Sequence, residues 1–365
     1  MDGTPRFTAE FIAGLDAVAA AEWDLLAGPD NPFLRHAFLR ALEETDCVGA
    51  EAGWLPRHLL LRDEAGTLVG AAPAYVKGHS YGEYVFDHGW ADAFHRAGGR
   101  YYPKLLVGVP FTPVPGPRLL ARPGAEAGTI RAALAQALAQ DAGRLRLSSI
   151  HVTFPHKAEW QALGEAGWLQ RLGFQYHWHN RGYASFDDFL GAFASRKRKA
   201  VRRERQQAQA SGIRLHTLTG ADLKPEHWDA FYRFYIDTGS RKWGSPYLNR
   251  AFFHRLGEAM AEQVVLVMAE QDGAWVAGAL NLRGTDTLYG RNWGTLVDVP
   301  FLHFEACYYQ AIDFAIAHGL KRVEAGAQGE HKIQRGYLPV PTYSAHWLKD
   351  ADLKPEHWDA FYRFY

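Results

Sequence analysis

The stretch LLLRDEAGTLVGAAPAYV at 59–76 aligns without gaps with LVMAEQDGAWVAGALNLR at 266–283. Each predicts an apolar strand, an acidic turn that ends at an equivalent glycine, Gly66 or Gly273, and a second apolar strand with small residues inside it. A predicted helix and a further strand follow each hairpin along the chain. The pair therefore indicates one α/β unit that is built twice with a diverged sequence.

The composition is that of a globular chain long enough for two domains. The 365 residues are 47% hydrophobic, 14% aromatic and 22% charged, which excludes a disordered, collagen-like or coiled-coil protein. Lys plus Arg and Asp plus Glu both total 40. No overall field therefore attracts a polyanion, and any contact with nucleic acid has to come from a local basic patch.

Cysteine usage and hydropathy predict a protein of a reducing cytoplasm. Cys47 and Cys307 form no CxxC pair and no disulfide framework. The N-terminal segment is interrupted by Glu10 and Asp16, so it lacks the unbroken apolar stretch of a signal peptide. No run in the sequence approaches the roughly 18 apolar residues of a membrane span.

Neither a resident cofactor nor a metal ion is predicted. GxGxxG and the P-loop pattern are both absent, which disfavours nicotinamide, flavin and P-loop enzymes. His177 and His179 share a face of a predicted strand, but no third ligand is spaced to join them. We expect this pair to be satisfied within the protein.

The segment ADLKPEHWDAFYRFY occurs at 221–235 and again at 351–365, with all 15 positions identical. A duplication old enough to build two domains should have drifted, as the hairpins have. We therefore interpret the tail 349–365 as artefactual. The first copy predicts a core-packing helix at 225–237, because aromatic side chains recur in it at helical spacing. These are Trp228, Phe231, Tyr232 and Tyr235.

A basic segment, SRKRKAVRRER at 195–205, lies in a predicted helix that runs from 186 to 210. Its last ten residues include seven basic side chains and one acid. One interpretation is attraction of phosphate, from tRNA, a nucleotide or a pyrophosphate-containing donor, with Arg198, Arg202 and Arg203 as contacts. The other is a solvated helix face whose long stems cover apolar surface. The sequence leaves both open.

The pentapeptide GHSYG at 78–82 fits the GxSxG pattern of a serine hydrolase nucleophile elbow. An elbow needs a helix directly after the serine, whereas the following EYVFDHGW is aromatic and β-like, so hydrolysis is a minor alternative. The segment also concentrates polar and aromatic side chains that can line a cleft and bind substrate. The candidates are His79, Tyr81, Glu83 and Asp87.

Two further motifs, RKWGSPY at 241–247 and YGRNWG at 289–294, each combine arginine, tryptophan and glycine. Such a set can stack on a planar group and fork onto a phosphate or carboxylate. The competing interpretation is a buried tryptophan and a paired arginine in an ordinary core. The substrate-binding candidates are Arg241, Lys242, Trp243, Tyr289, Arg291 and Trp293.

The stretch EAGAQGEHKIQRGYLPVPTYSAH at 324–346 is the most unusual in the chain. A strand is predicted to end at Ala325, and an acid, an imidazole and two cations follow on a loop bounded by glycine and proline. α/β sheets bind ligands beyond the carboxyl ends of their strands, and functional groups concentrate on loops. The catalytic candidates are Glu330, His331, Lys332 and Arg335.

Together these segments resemble bacterial Fem-like proteins, which are predicted N-acyltransferases related to the aminoacyl-transferases of peptidoglycan cross-bridge synthesis and built on GNAT folds. The resemblance covers nearly the whole chain and is most specific in HSYGEYVFDHGWADA at 79–93 and in the stretch at 324–346. It implies an α/β (α+β) fold of two GNAT-like domains, each a mixed, mainly antiparallel sheet flanked by helices, packed across a cleft. The implied boundaries are 1–185 and 211–348 for the domains, 186–210 for a basic connecting helix and 349–365 for the tail.

The resemblance also implies a reaction. An acyl or aminoacyl group would move from acyl-CoA or aminoacyl-tRNA to the amine of a small molecule or peptide, and Lys332 is equivalent by position to a lysine that faces the acyl site. Glu330 or His331 can serve as the base, while Lys332 and Arg335 can hold the oxyanion or a donor phosphate. The GNAT pyrophosphate loop is absent after the predicted strand at 287–293, which weighs against acyl-CoA. The alternative is a non-catalytic protein of this fold that recognises a peptide, a cell-wall precursor or RNA.

Overall fold

The computed structural model describes residues 7–96, 98–210, 212–241, 246–326 and 329–348. The strands are β1 Thr8–Ile12, β2 Trp54–Pro56, β3 His58–Arg62, β4 Leu68–Ala72, β5 Ala74–Lys77, β6 Lys104–Val107, β7 Leu120–Ala121, β8 Ser149–Thr153, β9 Leu169–His179, β10 Arg214–Leu218, β11 Val264–Gln271, β12 Ala274–Arg283, β13 Thr287–Thr295, β14 Arg322–Glu324 and β15 Leu338–Leu348. The helices are α1 Ala20–Ala27, α2 His36–Glu44, α3 His88–Arg96, α4 Ala127–Arg144, α5 Lys157–Glu165, α6 Phe186–Gly191, α7 Ser195–Ala210, α8 Pro225–Arg241, α9 Arg250–Met260, α10 Leu302–Phe304 and α11 Gln310–Ala317.

The described residues divide into two compact units. The first comprises 7–28, 33–173 and 341–348, and the second comprises 29–32 and 174–340. The basic segment 186–210, which the resemblance places between two continuous domains, lies within the second unit. β9 leads the chain from the first unit into the second, and β15 leads it back. Each unit is therefore assembled from separate stretches of sequence.

The sheet of the second unit has the strand order β10, β11, β12, β13, β14, β9. Neighbouring strands are antiparallel except β13 and β14, which are parallel where 287–289 pair with Arg322–Glu324. The β11–β12 hairpin turns at Asp272 and Gly273, whose φ angles are 50° and 78°. Two successive positive φ angles are typical of the two-residue hairpin turn that matches the twist of its strands. The hairpin predicted at 266–283 is confirmed.

The first unit repeats this strand order with one interruption. β1, β3, β4 and β7 form a four-stranded sheet, and β15, β8, β6, β5 and β2 follow one another in a second sheet. Pro73 separates β4 from β5, because proline has no N–H for a ladder. The second strand of the predicted hairpin at 59–76 therefore contributes to both sheets. β6 and β8 are parallel over 105–107 and 150–152, as β13 and β14 are in the second unit.

Each unit has a core in which a helix covers an apolar sheet face. In the first unit, α4 buries Leu134 and Leu138 against strand residues such as Val152. In the second, α11 buries Ile312 with Leu288 and other strand residues. Complete burial of such a side chain stabilises the folded state by about 1.5–3 kcal/mol. The predicted class, mixed and mainly antiparallel sheets flanked by helices, is confirmed.

Several helices differ in detail from the sequence-based expectations. The helix predicted at 225–237 is confirmed as α8, which buries Trp228, Phe231 and Phe234, whereas Tyr235 is only half-buried. The segment 186–210 is not one helix: α6 ends at Gly191 and α7 begins at Ser195. The tail 349–365, with the second copy of the repeat, lies outside the described residues. In the part of the chain that the structure describes, no helix is both long and apolar enough to cross a membrane.

Candidate functional site

The parallel strands of the second unit part beyond Glu324. β14 ends there, whereas β13 continues to Thr295. The register of β12 against β13 shifts between Leu280 and Asn281, which marks a bulge at the same level. A small cavity, partly open to solvent, lies at this point. It is lined by 279–281 of β12, 290–293 of β13, His303, Cys307, Tyr308 and Ala325.

A π-helical turn supplies one wall of this cavity. The turn Glu305–Tyr309 connects α10 to α11 and carries both Cys307 and Tyr308. Hydrogen bonds hold this turn in place: the buried Glu305 accepts from Arg205 at 2.9 Å and from Gln310 at 2.8 Å. Such turns are rare and occur frequently at functional sites.

Lys332 lies over the end of β14. It belongs to a 3₁₀ helix, Glu330–Arg335, between two glycines with positive φ, Gly329 at 114° and Gly336 at 89°. Its Nζ donates to the carbonyl oxygens of Ala325 at 2.6 Å and Gly326 at 3.2 Å. Burial lowers the pKa of Lys332 to about 8. The lysine is thus protonated at neutral pH and is fixed beside a residue that lines the cavity.

The other three catalytic candidates have different surroundings. His331 is exposed, and its Nε2 lies 3.0 Å from the hydroxyl of Tyr308, a cavity residue. Arg335 is buried and donates to both carboxylate oxygens of Glu204, at 3.1 and 2.7 Å. Glu330 is exposed. The structure therefore places Lys332 and His331 next to residues that line the cavity, whereas Arg335 is held in an internal ion pair.

Of the two arginine–tryptophan motifs, the second reaches the cavity. Arg291 and Trp293 line it, and the buried Tyr289 donates its hydroxyl hydrogen to the carbonyl of Asp30 at 3.4 Å. In the first motif, Arg241 donates to the carbonyl of Thr295 at 2.6 Å and is mostly exposed. Lys242 and Trp243 lie outside the described residues.

The basic helix α7 presents two of its three candidate arginines to solvent. Arg202 and Arg203 are exposed, and Arg202 pairs with Asp187 at 2.8 Å. Arg198 is half-buried and approaches the carbonyl of Phe193 at 3.5 Å. Both interpretations of the segment remain compatible with this arrangement, since exposed arginines serve either solvation or phosphate attraction.

The polar cluster of the first unit centres on Lys104 of β6. Its Nζ donates to Ser80 Oγ and Glu83 Oε2, both at 2.8 Å, and to Asp87 Oδ2, and all four side chains are buried. Burial raises the pKa of Glu83 to about 7. Burial acts in the same direction on Asp87, but the charge of Lys104 outweighs it and holds that pKa well below its ordinary value.

A chain of hydrogen bonds extends this cluster. The Tyr101 hydroxyl donates to Asp87 at 2.6 Å and lies 3.2 Å from His151 Nε2, while His151 Nδ1 is 2.7 Å from His346 Nδ1. Burial lowers the pKa of both histidines, in His346 to about 3, so both rings are neutral. The candidate Tyr81 is 64% exposed instead.

The geometry of GHSYG rules out a nucleophile elbow. The next helix, α3, begins only at His88, and Ser80 is buried with its Oγ 2.7 Å from the Tyr102 hydroxyl. His79 is not placed as a triad base, because its Nε2 donates to the carbonyl of Ala52 at 3.0 Å and its Nδ1 accepts from the N–H of Tyr81 at 3.2 Å. The minor hydrolase alternative therefore has no site in this segment.

Sequence reasoning missed the buried partners in both units. Lys104 interrupts the apolar run of β6, and that lone charge was the available signal. Tyr308 and Glu324 gave no signal in the sequence. Tyr308 lies within a predicted helix and Glu324 lies at the end of a predicted strand, and neither departs from the usual residue pattern of such elements. No group of three or more metal-ligating side chains occurs within the ranges that the structure describes.

Comparison with solved structures shows the fold. FemX superimposes with a TM-score of 0.56 at 12% identity, covering 91% of this chain and 96% of that one. The C-terminal domain of a putative lysylphosphatidylglycerol synthetase from Agrobacterium fabrum gives 0.56 at 10% identity, covering 93% of each chain. A tandem GNAT protein from the clavulanic acid pathway gives 0.51 at 13% identity, covering 95% and 100%. The predicted tandem GNAT fold is confirmed.

Sequence comparison identifies the family. No curated protein matches the chain. The family FemAB_like, described as peptidoglycan biosynthesis/recognition, matches residues 14–361. This match covers nearly the whole sequence and includes both units. The chain therefore belongs to the FemAB-like family.

Proposed function

We propose that this protein is an N-acyltransferase, which moves an acyl or aminoacyl group from an activated carrier to an amine. The observation that carries the proposal is the cavity at the parted strands β13 and β14, with the buried Lys332 at its edge. An acyl carbonyl group seated there would lie near a fixed positive charge. Fixed charges at the position of a developing oxyanion are a large source of catalysis.

In the proposed reaction, the amine nitrogen forms a bond to the carbonyl carbon of the donor, and the carbonyl oxygen becomes an oxyanion. The bond from that carbon to the carrier oxygen or sulfur then breaks, the carrier leaves as its alcohol or thiol after taking up a proton, and an amide remains. Lys332 has three N–H donors, and two are directed at Ala325 and Gly326. The third can donate to the oxyanion or to a donor phosphate.

The donor is an acyl-CoA or an aminoacyl-tRNA. The lack of a GNAT pyrophosphate loop after β13 favours the aminoacyl-tRNA. The exposed Arg202 and Arg203 of α7 offer positive charge for an RNA backbone. The family description, peptidoglycan biosynthesis/recognition, supports a peptide or cell-wall precursor as the amine.

A donor screen tests the proposal. The purified chain is incubated with primary amines and amino-terminal peptides, and with either CoA thioesters or charged tRNAs under identical conditions. We expect amide product with one donor class. With tRNA, the affinity should fall steeply as salt rises, and Arg202→Ala combined with Arg203→Ala should flatten that dependence.

Lys332→Ala provides the test of the site. Loss of the charge should lower kcat by roughly 10²–10³-fold, as removal of an oxyanion donor does. Lys321→Ala is the matched control, because Lys321 is a 79% exposed lysine of the same unit. Equal rates for Lys332→Ala and the control would remove Lys332 from the mechanism. Specific binding of a peptide, cell-wall precursor or RNA without turnover by any donor would establish the non-catalytic alternative.

A further inference from the structure

Glu324 is a buried carboxyl with one unsatisfied oxygen. It is the last residue of β14 and is 4% exposed. Its Oε1 lies 3.5 Å from Arg322 Nε and 3.8 Å from His177 Nδ1. Its Oε2 accepts no hydrogen bond from any residue that the structure describes. Because a buried polar atom without a partner is costly, this oxygen indicates a role in binding a group that is not part of the chain.

Strand pairing shows where the Glu324 side chain lies relative to the gap between β13 and β14. Tyr289 pairs with both Leu282 and Glu324, so these three side chains lie on one face of the sheet. Asn281 pairs with Gly290, and these two residues belong to the other face and line the cavity. β13 and β14 are no longer paired beyond Tyr289 and Glu324. The gap between the strands therefore separates the carboxyl of Glu324 from the cavity.

One observation places Glu324 beside the cavity: Ala325, the next residue, lines it, and so does Arg291, whose charge acts on the Glu324 carboxyl. Burial raises the pKa of Glu324 to about 7, even though the positive charges of Arg322 and Arg291 oppose that shift. At neutral pH the carboxyl therefore exists in both forms, which suits a group that takes up and releases a proton.

The other acids and bases near the cavity fit this role less well. Glu330 is exposed to solvent. His331 is also exposed, and its Nε2 is already engaged with the Tyr308 hydroxyl. Burial lowers its pKa from the ordinary value of histidine. Glu324 combines burial, an unpartnered oxygen and a place at the end of the parted strand.

We propose that Glu324 is the general base of the transfer, and that the acceptor is a primary ammonium group that donates a hydrogen bond to Oε2. This inference rests on the proposed function. The Glu324 carboxylate takes one proton from the ammonium and becomes a carboxylic acid. The nitrogen lone pair then forms the bond to the donor carbonyl carbon in the gap. The bond to the carrier breaks as described above, and Glu324 later returns its proton to solvent.

The first test is Glu324→Gln, which keeps the shape and removes the base. We expect kcat for a primary amine to fall by roughly 10²–10³-fold, within the range for loss of a general base. The acid limb of the pH–rate profile should disappear, and Glu324→Asp should restore part of the rate. Glu270→Gln is the matched control, since Glu270 is a strand carboxylate of the same unit that is already paired with Arg214 and His216.

The second test separates proton transfer from a structural role. Hydroxylamine is unprotonated at neutral pH and needs no base to become a nucleophile. Glu324→Gln should therefore react with hydroxylamine at nearly the wild-type rate while remaining slow with a primary amine. If Glu324→Gln lost activity equally with both nucleophiles, the inference would be overturned. An unchanged rate of this variant with the primary amine would also overturn it. The proposed function would survive either result. Absence of product from wild-type protein with every donor would overturn the proposed function and the inference together.

Discussion

The two units share a strand order, but they differ where their parallel strands part. In the second unit the parting of β13 and β14 leaves a cavity beside Lys332. In the first unit, the corresponding place beyond β6 and β8 holds the fully buried Arg118. Its Nε donates to the carbonyl of Thr153 at 2.7 Å and its Nη2 to that of Val114 at 2.6 Å. The first unit thus fills with its own chain the space that the second leaves open.

The two cations occupy equivalent places at the strand ends. Arg118 binds the carbonyl of the last residue of β8, and Lys332 binds that of the first residue after β14. The difference lies in the surrounding charge. The buried Glu159 accepts hydrogen bonds from the backbone N–H groups of Arg118 and Leu119, so an internal anion accompanies the arginine. The strand end of the first unit is thus filled by an arginine with a carboxyl group close to it, whereas the strand end of the second unit opens onto a cavity.

The largest effect is expected in the cluster around Lys104. Lys104→Met leaves the carboxylates of Glu83 and Asp87 buried without their cation. Removal of one partner from a buried ion pair costs about 3–5 kcal/mol, and two carboxylates place this variant near the upper end. The deficit should be largest at neutral pH. In the variant, burial without the cation raises the pKa of both carboxyls, so they take up protons as pH falls from 7 toward 4 and the deficit should shrink. Urea unfolding at pH 7 and pH 4 measures the difference.

An equal deficit at both pH values would show that lost packing, rather than lost charge, causes the effect. Lys157→Met is the control, because Lys157 is an exposed lysine of the same unit. We expect its free energy of unfolding to stay within about 0.5 kcal/mol of the wild-type value.

The next effect compares the two strand-end cations directly. Arg118→Met should lower the free energy of unfolding by about 3–4 kcal/mol, because Glu159 loses its nearby charge and two backbone carbonyls lose their donor. Lys332→Met should cost less, because the carbonyls that lose their donor belong to the half-buried Ala325 and Gly326, whereas Thr153 and Val114 are buried. Denaturant midpoints of the two variants give the comparison. Equal destabilisation would contradict the distinction between a structural cation and a functional one.

A third effect concerns Glu324 and has a defined pH dependence. The folded-state pKa of about 7 exceeds the unfolded value of roughly 4.3, so the stability contributed by the proton is complete below pH ~4.3 and is lost as pH rises to 7. Glu324→Gln does not titrate. It should therefore exceed the wild type in stability by up to about 4 kcal/mol above pH 7 and match it below pH 4. Thermal unfolding across this range measures the gain, and a variant that is less stable at every pH would refute the assignment of an unsatisfied carboxyl.

The sequence predicted what depends on local pattern. The paired hairpins follow from alternation and turn glycines, and the Lys332 loop follows from composition within a short stretch. The sequence did not predict that the chain passes from one unit to the other within β9 and returns within β15. β9 pairs with β14, about 140 residues later, and no local sequence pattern encodes that pairing.

The partner of the buried charges could not be predicted for the same reason. Glu83 and Asp87 remain substrate-binding candidates, and both bind Lys104. Their partner lies on another strand, so the charge that neutralises them is invisible in their own segment. Glu324 was missed because its significance comes from what it lacks, a partner for Oε2. Only packing reveals such a deficit.

The smallest effect is expected at Gly290, which borders the gap between the strands. An added Cβ would lie 3.3 Å from the Glu324 carbonyl oxygen and 3.4 Å from Asn281 Oδ1. Such contacts are tight but can relax by a few tenths of an ångström, so Gly290→Ala should change stability by less than about 1 kcal/mol. The methyl group would still narrow the path between Glu324 and the cavity, so kcat/KM should fall by roughly 3- to 30-fold.

Gly294→Ala, on the same strand, is the contrasting variant. Its Cβ would meet the backbone of Phe234 at 2.3 Å, so this variant should lose stability. If Gly290→Ala lost activity only in proportion to its loss of stability, that result would argue against a reaction in the gap.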